Sequence, residues 1–139
     1  MAVGITVGQI TDEIGTADFL HAFFSTISAH CDADQWGSRF PRLFALYRGE
    51  LRAGDAAAAL TELREAKLAL SQLPPQHVVW DIENPRVRPP WGDNISPDIT
   101  SLGNYFVSST GRDLFALFEE ALVEASQEGR DAVIRSIAV

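Results

Sequence analysis

The sequence predicts an α+β fold, a small and mainly antiparallel sheet packed against about four helices. Three observations carry this. Apolar residues alternate at period two near both ends of the chain, and four stretches show the three-to-four-residue apolar spacing of helices. The helices also cluster early instead of alternating one for one with strands, as a doubly wound sheet would require. At 139 residues the chain is expected to form a single domain over residues 1–139, large enough to bury an ordinary hydrophobic core.

Val3, Ile5 and Val7 alternate with Gly4, Thr6 and Gly8, the pattern of a half-buried strand. Gly15-Thr16 breaks it, and Thr16 is expected to cap a helix that runs to about Ala29 with Asp18 in its first turn. Phe19, Phe23 and Ile27 share the inner face of that helix, widened by Leu20 and Phe24, while His21 points away. After a turn over Cys31–Gln35, Ser38 is expected to cap a short helix with Pro41 in its first turn. Phe40, Leu43, Phe44 and Tyr47 form its core face, and Gly49 ends it. Beyond Gly54, Asp55 caps a third helix of strong helix formers, with Leu60, Leu63, Lys67 and Leu70 along one side, and Pro74-Pro75 stops it.

His77–Glu83 reads as an internal strand with Val78, Trp80 and Ile82 on one face. Asn84–Thr100 has no periodic face, and unstructured connections of that length inside a compact domain tend to be functional. Leu102–Ser108 reads as extended. Thr110 and Asp113 resemble a capping box ahead of the last long helix, Arg112–Glu128, whose apolar face is Leu114, Leu117, Phe118, Ala121, Leu122 and Ala125. Gly129 closes that helix, and Asp131–Val139 forms a final strand with Val133, Ile137 and Val139 at one parity.

The formal charge of −8 is unevenly spread. Residues 1–38 carry Asp12, Glu13, Asp18, Asp32 and Asp34 with no lysine or arginine, and residues 89–129 set seven acids against Arg112. The middle of the chain is mildly basic. Binding a nucleic acid or an anionic membrane calls for a basic footprint, so neither contact is expected. An acidic surface instead speeds encounter with basic partners. No signal peptide or membrane span is legible, and a cytoplasmic protein is expected. The single cysteine, Cys31, excludes an internal disulfide and reads as a small apolar residue at a helix end.

Catalytic signatures are missing: there is no glycine-rich phosphate loop, no G-x-S-x-G elbow and no H-E-x-x-H, and no cofactor or metal is expected. Asp32-x-Asp34 lacks the glycine and distal glutamate of a calcium loop and reads as a pair of turn residues. One enzymatic alternative stands on Asp81, Glu83 and Asp93, which a returning loop would bring together as a metal-dependent hydrolase site. Arg86 and Arg88 lie between them and offer neutralisation instead. The segment Arg86–Pro97 is the most informative. Two prolines stiffen the approach to Trp91, and Gly92-Asp93-Asn94 supplies turn residues. An aromatic flanked by arginine and aspartate on a rigid loop has the composition of a binding hot spot, or of a peptide- or glycan-binding site centred on Trp91. The simpler reading is that Trp91 plugs the core of its own domain. Trp36 with Arg39 is a second pair of this kind.

Four motifs in order, Phe19-Leu20-His21-Ala22-Phe23-Phe24, Trp36-Gly37-Ser38-Arg39-Phe40-Pro41, Trp80-Asp81-Ile82-Glu83 and Arg88-Pro89-Pro90-Trp91-Gly92-Asp93-Asn94-Ile95-Ser96, resemble the Imm70 family of bacterial immunity proteins. The resemblance spans roughly residues 1–128 and leaves out the tail Gly129–Val139. It implies an α+β domain that neutralises a cognate toxin by stoichiometric occlusion and performs no bond chemistry. It carries over no contact residues. If the toxin is a basic nuclease, Asp93, Asp98, Glu119, Glu120 and Glu124 are the carboxylates to occupy its cleft, with Trp36, Arg39, Arg86, Arg88, Trp91 and Asn94 around the anchors.

Overall fold

Gly8 takes a φ of 62°, which glycine adopts without steric cost, and the chain reverses there within two residues. The first strand, Ala2–Val7 (β1), therefore returns at once as Ile10–Thr16 (β2), with Val7 opposite Ile10. The structure, a computed structural model, describes residues 2–32 and 35–137. The hairpin partner was not legible in the sequence, because β2 is an edge strand that places Asp12 and Glu13 where apolar residues would have marked it. Its register with β1 shifts between Val3 and Gly4, leaving Ile14 unmatched and fully buried.

The first helix, Ala17–Cys31 (α1), begins where Thr16 accepts a hydrogen bond from the Phe19 backbone N–H, as expected, and runs a little beyond Ala29. The short helix Pro41–Tyr47 (α2), the two-residue strand Glu50–Leu51 (β3) and the helix Ala56–Leu70 (α3) follow. Ser38 does not cap α2. Its first turn is capped from outside, by the Glu62 carboxylate of α3, which accepts from the Arg42 and Leu43 backbone N–H groups at 3.0 and 3.1 Å. Pro41 has no N–H to satisfy, so one buried glutamate serves the exposed donors of that turn. Asp55 precedes α3, but its side chain makes no capping bond. The inner face of α3 is Ala56, Ala59, Glu62, Leu63, Ala66 and Leu70; Leu60 sits at the rim and Lys67 is exposed.

His77–Glu83 is not a strand. Side chains of α1 bind its backbone in place of a neighbouring strand: Thr26 Oγ1 both donates to the Val79 carbonyl and accepts from the Val79 N–H, and Ser25 Oγ accepts from the Ile82 N–H. These two hydroxyls are fully buried in a helix that otherwise reads as apolar. Leu102–Ser108 is also not a strand. It forms a single bridge, Val107 to Asp113, and folds back on the residues just ahead of the last helix, with the Leu114 N–H donating to the Phe106 carbonyl. That helix, Leu114–Glu128 (α4), is capped by Asp113 alone, which accepts from the Ala116 N–H; Thr110 bonds to Ser108 instead. Gly129 ends it as expected.

The last strand, Ala132–Ile137 (β4), lies between β1 and β3, giving an antiparallel sheet of order β2-β1-β4-β3. Pairing Ile5 with Ile134 and Val7 with Ala132 turns Ala132 and Ile134 to the core, so the inward parity is the opposite of that read from Val133 and Ile137; Val139 lies outside the described residues. The fold is thus α+β, four helices against a four-stranded antiparallel sheet. Aromatic rings dominate its centre: Phe23 of α1 touches Phe106, Phe115 and Phe118 with centroids 4.9–5.3 Å apart. No helix among the described residues is long and apolar enough to cross a membrane.

Candidate functional site

The loop over residues 84–100 places Trp91 between the two roles its composition offered. The indole packs edge-on against Trp80 at 5.3 Å and against Phe19 at 6.5 Å, and its Nε1–H donates to the Tyr105 hydroxyl at 2.9 Å. Yet 39% of the residue remains exposed. Burial pushes the Tyr105 phenol above its ordinary range, so it stays protonated and holds the indole in one pose. Arg88 pairs with Asp93 at 3.4 Å across the turn, while Arg86, Asn94 and Asp98 stand exposed beside it. The cavity under this loop, between Val78, Arg88, Asp93 and Tyr105, is about 10 Å³. That is room for one water and not for a sugar ring or a side chain, so the loop presents a surface and not a concave aromatic site.

Asp93 does not join Asp81 and Glu83. Asp81 turns to α1, where it accepts from His21 Nε2 at 2.9 Å, and Asp93 is held by Arg88 within its own loop. Among the described residues no group of three or more His, Cys, Asp or Glu side chains is arranged to hold a metal ion, which removes the geometric basis of the hydrolase alternative.

A second cluster was not legible as a unit. Tyr47 packs on the core as expected, 5.0 Å from the buried Phe24, but keeps part of its ring exposed; Phe44 is half-buried, and Leu43 and Leu46 lie fully inside. The two aromatic rings turn to the rim of α2 and meet Trp36, which stacks on Tyr47 at 5.1 Å and 19°. Asp32 fastens the turn that delivers Trp36, accepting from the Gly37 and Arg39 backbone N–H groups at 2.8 Å each and from Ser28 Oγ. It is more than a solvated turn residue; Asp34 lies outside the described residues. Gly37, at φ 85°, presses so close to Phe44 that a Cβ there would sit 2.7 Å from the ring. Arg39 lies over the Phe40 ring at 5.1 Å. The helix face turned away from the apolar stripe of α1 supplies His21, which bonds to the Tyr47 hydroxyl through Nδ1 at 2.6 Å as well as to Asp81. The His21 hydrogen bond is the main cause that holds the Asp81 carboxyl below its ordinary range. Trp36 and Arg39 were legible as a pair and His21 as a histidine facing away from its helix's core stripe, but nothing in the sequence joined them to Tyr47 and Asp81.

The third feature is the outer face of α4. An open groove of about 740 Å³ runs along it, lined by Ala116, Glu119, Glu120, Val123, Glu124 and Glu128 among others. Arg64 of α3 pairs with Glu119 at 3.1 Å, and Arg112 bridges Glu120 and Asp12. Glu124 and Glu128 form no ion pair among the described residues. The structure thus does not gather the sequence's candidates into one site. Trp36 and Trp91 lie at the ends of a belt running through His21, Asp81 and Trp80. None of these five residues lines the glutamate groove.

The family model of Immunity protein 70 matches residues 5–134. The chain belongs to the Imm70 family. The Imm70 match runs from β1 into β4 and therefore extends past Glu128, taking in most of a tail that the motifs alone had left out. Members of the Imm70 family are immunity proteins of bacterial polymorphic-toxin systems, and the partner implied for this chain is a cognate toxin. Comparison with curated proteins and with solved structures finds no match.

Proposed function

We propose that the chain neutralises its cognate toxin by binding it one to one, and that the glutamate groove of α4 receives a basic toxin surface such as a nuclease cleft. The groove carries this reading. It is open and lies along a helix, its lining is mainly acidic with Arg112 at one end, and Glu124 and Glu128 form no ion pair among the described residues. Carboxylates in such a cleft occupy the places of substrate phosphates and exclude the substrate without chemistry of their own. Trp91, braced by Tyr105, is the aromatic anchor with the right exposure to add affinity at a second edge of the contact.

Stopped-flow association with the cognate toxin domain tests the reading. The on-rate is expected to fall about tenfold as salt rises from low to moderate concentration, because the charges that steer encounter are exposed and screened. Joint Glu124→Lys and Glu128→Lys substitution is expected to reduce it by about tenfold more at low salt, with the melting temperature nearly unchanged. An on-rate indifferent to both salt and charge reversal would remove α4 as the docking face. Protection of cells by far less than one equivalent of the protein would remove occlusion itself.

A further inference from the structure

Arg86 and Arg88 offered neutralisation to Asp81, Glu83 and Asp93 together, and Arg88 does pair with Asp93. No lysine or arginine among the described residues pairs with Asp81 or Glu83. Both lie beside an aromatic surface. Tyr47 is a partly exposed phenol whose hydroxyl bonds to His21 Nδ1 at 2.6 Å; the same imidazole reaches Asp81 through Nε2 at 2.9 Å, and Glu83 follows Asp81 by two residues with its side chain exposed. Trp36 continues that surface by stacking on Tyr47. Trp36, Tyr47 and Asp81 are fixed in advance: Asp32 ties down the Trp36 turn, and His21 holds both the Tyr47 hydroxyl and Asp81, while the Glu83 backbone N–H donates to Asp81 Oδ1 at 2.9 Å. The nearby arginines are engaged elsewhere, Arg39 over Phe40 and Arg48 over Phe44.

We infer that Trp36, Tyr47, Asp81 and Glu83 form a receptor for one cationic side chain, an arginine or lysine of the toxin, separate from the glutamate groove. A guanidinium laid against the aromatic rings gains their negative faces, and the two carboxylates supply the counter-charge and the acceptors for its N–H donors. His21 is the positioning residue. With its Nδ1 accepting from the phenol and its Nε2–H donating to Asp81, one neutral tautomer satisfies both bonds and leaves the remaining Asp81 oxygen free for the incoming cation. The nature of the occupant rests on the neutralisation reading, but the receptor itself is testable without a toxin.

The probe is N-acetyl-arginine methylamide, titrated into the full chain and followed through the indole and backbone ¹⁵N–¹H resonances, with the isosteric but uncharged citrulline derivative as control. The arginine compound is expected to shift the Trp36 indole and Glu83 amide signals saturably, and the citrulline compound at least about fivefold less. Asp81→Asn and Glu83→Gln, each checked for unchanged melting, are expected to weaken the arginine response about threefold or more apiece. Equal shifts with the two compounds, arginine shifts concentrated on Glu124 and Glu128, or no saturable shift at Trp36 would each overturn the receptor. A receptor that passes while Glu124→Lys and Glu128→Lys leave toxin binding intact would separate the two surfaces, since only the α4 reading then fails.

Discussion

Phe23→Ala is expected to destabilise the fold by about 3–5 kcal/mol, the range for emptying a fully buried aromatic site. Phe23 has no exposed surface, and its ring is the point at which α1, the segment ahead of α4 and α4 itself meet. It stacks nearly parallel on Phe118, at 13°, and stands edge-on to Phe106 and Phe115. Truncation therefore removes the transfer energy of one ring and also leaves three neighbours facing a void that rigid aromatics fill poorly. With a typical domain stable by only about 5–15 kcal/mol, that loss removes a large fraction of the total stability. Urea unfolding followed by far-UV circular dichroism measures it. Phe23→Leu, which keeps most of the volume, should cost less than about half as much. A Phe23→Ala loss below about 1 kcal/mol would mean that the rings are not packed as described.

The second large effect belongs to Glu62. Glu62→Ala is expected to cost about 2 kcal/mol, because it leaves the Arg42 and Leu43 N–H groups of α2 without an acceptor and opens a gap between two helices. Glu62→Gln keeps an acceptor and should cost much less. The pair also reports on ionisation. Burial holds the Glu62 carboxyl above its ordinary range, outweighing the two N–H bonds and the Arg42 guanidinium 3.6 Å away. The folded carboxyl thus binds its proton more tightly than the unfolded one, and the stability this contributes is full below the unfolded pKa and lost as pH rises through the folded one. Glutamine cannot titrate. The stability of the natural chain relative to Glu62→Gln should therefore be greatest in acid and decline towards neutral pH, a trend opposite to that of the lowered Asp81 carboxyl. Parallel pH profiles would contradict it.

The parts legible in the sequence were those governed by a single local rule. Three helices announced themselves by apolar period, and Thr16 and Gly129 by cap chemistry. Where one element completes another across the fold, local rules fail. Glu62 lies twenty residues beyond the turn it caps, so Ser38 was the nearer choice and the wrong one. Ser25 and Thr26 look like neutral interruptions in an apolar helix, and only contact with Val79 and Ile82 shows why His77–Glu83 has strand-like composition without a strand. The Trp91 loop was readable as informative, because prolines and turn residues surround an aromatic, but its bracing hydrogen bond to Tyr105 spans a segment with no regular period. The glutamates of α4 were legible one by one from helical spacing. Their grouping around Arg112, in a groove that no residue of the tryptophan belt lines, depends on how helix and hairpin are set side by side.

The placement of β4 in the middle of the sheet has a consequence for synthesis. Its pairing with β1 joins Ala2 to Ile137, so the β1–β2 hairpin waits until β4 has been made before its second edge is covered. A nascent or truncated product ending before Ala132 presents that bare edge to proteases and to other unfinished copies. The sheet is therefore complete only after translation has passed Ile137, and synthesis halted before that point leaves β1 with one unpaired edge.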